Sequence, residues 1–414
     1  MSTLTEAPAA GPRPFLEYAA LDAVTIRERT WQAKRRLGER CVILGHHYQR
    51  ESIIEFADFR GDSFKLSQLA ASQSAASHIV FCGVHFMAES ADVLAQPHQT
   101  VILPDLKAGC SMADMATLDD VEDAWDQLVA EHGDTFTPIT YMNSTAAIKA
   151  FCGARGGIVC TSSNAREALA WAWARTPRVL FLPDQHLGRN TAYAMGVPLE
   201  QMADWVWRSS RPREVNVRAF ASDTRIVLWR GFCSVHGKFS KSQIDEVRAE
   251  DPSVKVLVHP ECPFDVVGNA DLVGSTEFII DRVRRAPAGT SWAIGTEIHL
   301  VHRLALEHPE QRIRSLQRNV CPCATMNRID PAHLLWALEN LAAGHVVNPV
   351  RVAEEYAMLD VMSGGRLIAG FMRGIPHEYH AYNVNPDESL GRLDEAARLI
   401  VKCWTSDEPF RWEG

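Results

Sequence analysis

Long apolar runs are missing from this 414-residue chain. Nowhere do 18 or more apolar residues follow one another, so no membrane-spanning helix is expected. The opening "MSTLTEAPAAGPRP" lacks a basic segment followed by an apolar one. It reads as a short disordered tail over 1–14 and not as a secretory signal. Positive charge is in deficit, 42 Lys and Arg against 51 Asp and Glu, for a formal net charge of −9. That balance argues against a general nucleic-acid binder, although helix N-termini can still hold small anions. No C-x₂-C run of the ferredoxin or zinc-ribbon kind occurs among the ten scattered cysteines. With no secretory signal, a cytoplasmic protein is expected. Its thiols would then serve packing, metal binding or catalysis rather than disulfides.

What is present is a regular alternation. Length alone calls for two to four domains. Short apolar runs punctuate the chain: "CVILGHH", "HIVFCGVHF", "TVILPD", "TPITYMN", "GIVCTSSN", "RVLFLPD", "RIVLWRGFC", "KVLVHPEC", "ADLVGSTE" and "SWAIGTE". Each reads as a strand covered on both faces, as in parallel sheets. Helical patterns such as "DSFKLSQLAASQSA" and "SNAREALAWAWAR" lie between them, the second opening on a capping region. The fold class is therefore α/β. The runs form three similar groups, and "VILPDLKAGCSMAD" and "VLFLPDQHLGRNTA" look like one element used twice. Three small α/β/α domains follow, at about 15–113, 114–222 and 223–345. "DPAHLLWALENLAAG" supplies a last helix over the third sheet.

Ligands of open parallel sheets bind beyond the carboxyl ends of the strands. Those ends here carry His46, His47, Tyr48, Glu89, Cys110, Tyr141, Asn143, Ser162, Cys233, His236, His259, Glu261, Thr276 and Glu297. If three domains turned these edges to one axis, they would build a single polar site. Two residues apart on extended chain, Tyr141 and Asn143 share a face, as do His259 and Glu261. Cys41, Cys82, Cys152, Cys160 and Cys403 sit within or beside apolar runs and read as small hydrophobes, while Cys262, beside "HPE", stays open. Cys110, Cys233 and Cys321 differ, each following polar or Gly-rich sequence in a separate segment. They suit a ligand set assembled across domains, with ordinary packing as the alternative. His236 has an equally open reading, as a partner to such a centre or as a structural residue.

These stretches together resemble the quinolinate synthases. The resemblance is carried by "GHHYQ", "GDSFKLS", "GVHFMAESADVL", "LPDLKAGCSMADM", "YMNSTAAIKAFC", "CTSSNA", "FLPDQHLGRNTA", "GFCSVHGKF", "VHPEC", "GSTEFI", "IGTEIHLVHRL" and "CPCATMN", from about 34 to 344. It implies three related domains around a pseudo-threefold axis with the active site at their shared centre. It implies condensation of iminoaspartate with dihydroxyacetone phosphate to quinolinate, in de novo NAD biosynthesis. A functional link to L-aspartate oxidase or aspartate dehydrogenase comes with it. The implied cofactor is a [4Fe–4S] cluster on Cys110, Cys233 and Cys321, one iron staying open to substrate as a Lewis acid. Because the last motif reads Cys-Pro-Cys, Cys323 stands as a reserve ligand or bystander. The resemblance places diacid binding on His46, Ser63, Tyr141, Asn143, Ser162, His259, Glu261 and Thr276. It makes Tyr48 and Glu261 the general acid–base pair, with His259 and Tyr141 beside them. A different open-iron hydro-lyase and an inactive cluster-binding scaffold are the competing classes.

Beyond about 345 the chain changes character. "RVAEEYAMLDVMSGG", "RLIAGFMRG" and "ESLGRLDEAARLIVKCW" resemble an internal piece of the luciferase-like flavin monooxygenases. Their (β/α)₈ barrel needs about 250 residues. Residues 346–414 are therefore expected to be a partial, non-functional fragment.

Overall fold

The computed structural model describes residues 11–206, 221–318 and 322–350. Ten of its strands fall on the ten apolar runs: β1 (Cys41–His46), β3 (His78–Cys82), β4 (Thr100–Ile102), β5 (Phe136–Tyr141), β6 (Ile158–Cys160), β7 (Arg178–Leu182), β9 (Ile226–Trp229), β10 (Lys255–Val258), β11 (Leu272–Val273) and β12 (Ser291–Gly295). Three more were not expected: β2 (Phe59–Gly61), β8 (Met202–Trp205) and β13 (Arg312–Ser315). All three are short sheet-edge strands with polar residues in them.

The strands form three sheets, ordered β2-β1-β3-β4, β6-β5-β7-β9-β8 and β11-β10-β12-β13, and every strand pairing within them is parallel. Parallel pairing demands a crossover, and helices supply it everywhere but between β8 and β9, where the connection lies outside the described residues. β1, β7, β9 and β12 are almost wholly buried, which explains their unbroken apolar runs. The registers match from sheet to sheet. Gly45 lies opposite Cys82, Thr140 opposite Leu182, and Val258 opposite Gly295.

Two elements depart from the expected grouping. β9 was expected to open the third group, yet it hydrogen-bonds between β7 and β8 in the second sheet. An apolar strand buried on both faces carries no mark of which sheet it joins. Likewise, the helix Pro331–Ala342 does not cover the third sheet. It packs on the helix Ala23–Leu37, where Arg29 Nε and Nη2 donate to the Glu339 carboxylate at 2.8 and 2.6 Å. Leu335 is buried with Tyr18 and Ile26, and the Phe15 ring stacks on His333 at 4.1 Å. The chain then runs antiparallel along β4. Leu103 N–H donates to the Asn348 carbonyl (3.3 Å) and Val350 N–H to that of Val101 (3.0 Å), around a bridge between Ile102 and Pro349. Residues 351–414, and with them the expected flavin-enzyme fragment, lie outside the described residues. Among those described, no helix is long and apolar enough to cross a membrane.

Candidate active site

One open cavity, about 740 Å³ including the part that runs out to solvent, is lined from all three sheets. β1 delivers His46 and Tyr48 to it, β5 delivers Tyr141 and Asn143, and the turn after β10 delivers His259 and Glu261. Ser63 and Thr276 line it as the first residues of helices Ser63–Ser72 and Thr276–Arg284, capped by Asp62 and Ser275. Ser162 follows β6, where the Asn164 side chain turns back to accept from Thr161 N–H at 2.6 Å instead of capping its helix.

The loops after β4 and β9 bring Cys110 and Cys233. Gly231 sets the second loop: a side chain there would meet the Pro183 carbonyl at 2.4 Å, where its own N–H donates at 3.1 Å. Cys321 lies outside the described residues. Its neighbour Cys323 lines the cavity, its N–H donating to Glu297 at 3.3 Å. His236 is there as well, whereas Glu89 and Glu297, also noted at strand ends, serve the walls: Glu89 accepts from Ala146 N–H (3.2 Å) and Glu297 from His299 N–H (2.7 Å).

Hydrogen bonds tie the polar groups into one chain. The Tyr141 hydroxyl donates to Glu261 Oε1 at 2.6 Å, and His236 Nδ1 donates to Oε2 at 2.8 Å. His236 Nε2 meets Thr296 Oγ1 at 3.1 Å, and that hydroxyl meets the Tyr48 hydroxyl at 2.9 Å. Tyr48 in turn reaches Thr276 Oγ1 at 3.0 Å. Sequence reading missed Thr296, whose partners lie 60 and 248 residues away.

Burial dominates the electrostatics. It pushes His46 and His259 down to about 3, so both are neutral at physiological pH. Each accepts a backbone N–H at Nδ1, from Tyr48 (3.1 Å) and Glu261 (3.3 Å), which leaves the ring proton on Nε2. Burial, reinforced by Glu261, holds the Tyr48 and Tyr141 phenols well above their ordinary value. Burial also opposes ionisation of Glu261, but His236 and the hydrogen bonds from His236 and Tyr141 outweigh it, leaving an ionised carboxylate. Asp184, fully buried and close enough to feel that charge, is pushed up instead, chiefly by burial.

The thiols fit a metal centre. Burial drives Cys110 up to about 12 and Cys233 well above its ordinary value. Thiolates at such positions need positive charge beside them, which bound metal provides. Cys233, His236 and Glu261 also form a potential metal-binding group, their ligand atoms lying within 4.8 Å of one another.

Residues 29–362 match the family described as Quinolinate synthetase A protein. The chain belongs to the quinolinate synthase family. It is 52% identical over 338 residues to the quinolinate synthase of Halalkalibacterium halodurans, covering 82% of this chain and 91% of that protein. The figures are 53% over 354 residues for Corynebacterium glutamicum (84% and 89%) and 55% over 350 for a Nocardioides species (83% and 88%). Quinolinate synthases are enzymes of NAD biosynthesis acting on small molecules. A second match, over 341–414, is to the luciferase-like monooxygenases. It overlaps the first, so the change of character at 345 is not a clean seam.

Proposed function

We propose that this quinolinate synthase condenses iminoaspartate with dihydroxyacetone phosphate, in the cytoplasm, at a [4Fe–4S] cluster held by Cys110, Cys233 and Cys323. The observation that carries the reading is one cavity lined by three thiols and by a hydrogen-bonded chain joining Tyr48 to Glu261. Cys323 takes the place expected for Cys321 because it lines that cavity with the other two thiols. When bound, a three-thiolate cluster supplies an iron with an open position, a Lewis acid for a carboxylate, imine nitrogen or hydroxyl.

The chain's own residues do the rest. His46 and His259 offer Nε2–H donors without adding charge. Ser63, Ser162, Thr276 and Asn143 add hydroxyl and amide donors, the complement of a dicarboxylate. Ser63 and Thr276 do so at helix N-termini, where the peptide dipoles favour anions. Holding both reactants in one cavity makes a bimolecular condensation an oriented one. Glu261, ionised, accepts a proton, and Tyr48, kept protonated by burial, donates one. His236 and Thr296 connect the two, so the proton taken up at Glu261 can make good the one lost from Tyr48. The matched registers support three α/β/α units about a pseudo-threefold axis. A link to an enzyme that makes iminoaspartate follows from that substrate, and 346–414 would be a non-functional fragment.

The test is anaerobic purification with iron and sulfide analysis and a quinolinate-formation assay. About four irons and four sulfides per chain are expected. Cys110→Ala, Cys233→Ala and Cys323→Ala should each abolish the cluster, whereas Cys321→Ala and Cys160→Ala should retain it. A full cluster in Cys323→Ala with loss in Cys321→Ala would return the third ligand to Cys321.

A further inference from the structure

The matched registers make positions in different sheets equivalent. Counting three residues past Gly45, Thr140 and Val258 reaches Tyr48, Asn143 and Glu261. Counting eight past their partners Cys82, Leu182 and Gly295 reaches Ser90, Asn190 and Arg303, each on the helix that follows.

Arg303 donates through Nη1 to the His47 carbonyl at 3.0 Å and through Nη2 to that of Gln49 at 2.7 Å. These are the carbonyls on either side of Tyr48. Its Nε also donates to Glu51 at 3.0 Å. Asn190 donates through Nδ2 to the Pro260 and Cys262 carbonyls, both at 2.8 Å, on either side of Glu261. In the remaining loop Lys149 Nζ donates to Ser90 Oγ at 3.1 Å and to the Ser144 carbonyl at 2.6 Å, just after Asn143. The grips run in a cycle. A helix of the third sheet holds the loop of the first, one of the second holds the loop of the third, and one of the first, through Lys149, holds the loop of the second.

We infer that Asn190, Arg303 and the Ser90–Lys149 pair are positioning residues, each fixing one chemistry-bearing loop from a neighbouring sheet. Arg303 and Asn190 thus fix the peptide plane before the residue and the plane after its successor, while the turn bonds from Gln49 N–H to the His46 carbonyl (2.9 Å) and from Cys262 N–H to the His259 carbonyl (3.0 Å) hold the plane between, so the direction of each side chain is set. Asn190 and Arg303 are each 6% exposed, so water is poorly placed to replace them. Misplacing a reacting group by about 1 Å can cost about 10²-fold in rate. The inference rests on the reading of Tyr48 and Glu261 as proton-transfer groups.

Double-mutant cycles on the cluster-loaded full chain test it. Asn190→Leu should lower kcat by about 10- to 100-fold with KM changed less, and iron and sulfide content unchanged. In a Glu261→Gln background the same substitution should cost less than about threefold, because the group it positions is gone. In a Tyr48→Phe background it should keep its full factor. Arg303→Met should show the mirror pattern, lost in Tyr48→Phe and kept in Glu261→Gln. If Asn190→Leu does not fold, Asn190→Ser, which retains one donor, carries the same cycle. Undiminished losses in the paired backgrounds would mean a general structural role and overturn the inference alone. Wild-type turnover in Glu261→Gln and Tyr48→Phe themselves would overturn the acid–base reading, and the clamps with it.

Discussion

Two of the six residues in the hydrogen-bonded chain, Tyr48 and Glu261, carry the proposed proton transfers, and each can be neutralised with little change in volume. Glu261→Gln and Tyr48→Phe should keep iron and sulfide while quinolinate formation falls by about 10² to 10⁴. Lys149 offers a pH test away from the thiols. Burial lowers its ammonium to about 8, from 10.5 in the unfolded chain. Below pH 8 both states are protonated and the full cost of the buried charge is present. Between 8 and 10.5 the unfolded chain binds more protons, so the cost is relieved as pH rises. Wild-type stability should therefore gain on Lys149→Met across that window, read as melting temperature at pH 7.5, 9 and 10. A constant gap would remove burial as the cause. Individual site residues were legible because strand-end loops rich in His, Tyr and Glu are chemically unusual. Thr296 was not, since a threonine after a strand is ordinary and only its distant partners make it a bridge. Nor could the sequence show that Cys323 lines the cavity, because that depends on local backbone direction within Cys-Pro-Cys.

Among the elements, continuous apolar runs revealed every central strand, while β2, β8 and β13 stayed hidden because edge strands need not be apolar on both faces. The assignment of β9 and of Pro331–Ala342 failed for a shared reason. Periodicity reports that a face is buried, not against what. The helix Pro331–Ala342 is fastened by Glu339, which meets Arg29, the Tyr18 hydroxyl at 3.0 Å and Arg13 at 3.4 Å. Arg13 is well exposed and contributes little, so Glu339→Ala should cost about 1–2 kcal/mol, mostly through Arg29 and Tyr18. A thermal melt would register this as a shift of a few degrees, with cluster content retained. An unchanged melt would show that apolar packing alone docks the helix.

For the molecule as a whole, every group given a role in the chemistry lies at or before Cys323, and the packing of the first unit is completed by residues up to Val350. Removing 351–414 should leave iron content and quinolinate formation within a few-fold of the full chain, and the full chain should purify without flavin. Cluster loss on that truncation, or stoichiometric flavin, would make the luciferase-like segment an integral part. The resemblance of 34–344 to one family was legible because its motifs follow in order. The family match runs further, to 362, and structure explains part of that extension, since 348–350 bridge to β4 at the edge of the first sheet.

That last contact has a colloidal consequence. A sheet's outermost strand offers unsatisfied backbone groups to any other copy of the protein, the usual seed of edge-to-edge aggregation. Along β4 that invitation is withdrawn by the chain itself, and Pro349, lacking an N–H, makes the replacement border a poor template. A truncation after 346 should therefore differ from one after 350 less in catalysis than in solubility. Light scattering would show the shorter protein gathering into oligomers at concentrations where the longer one stays dispersed.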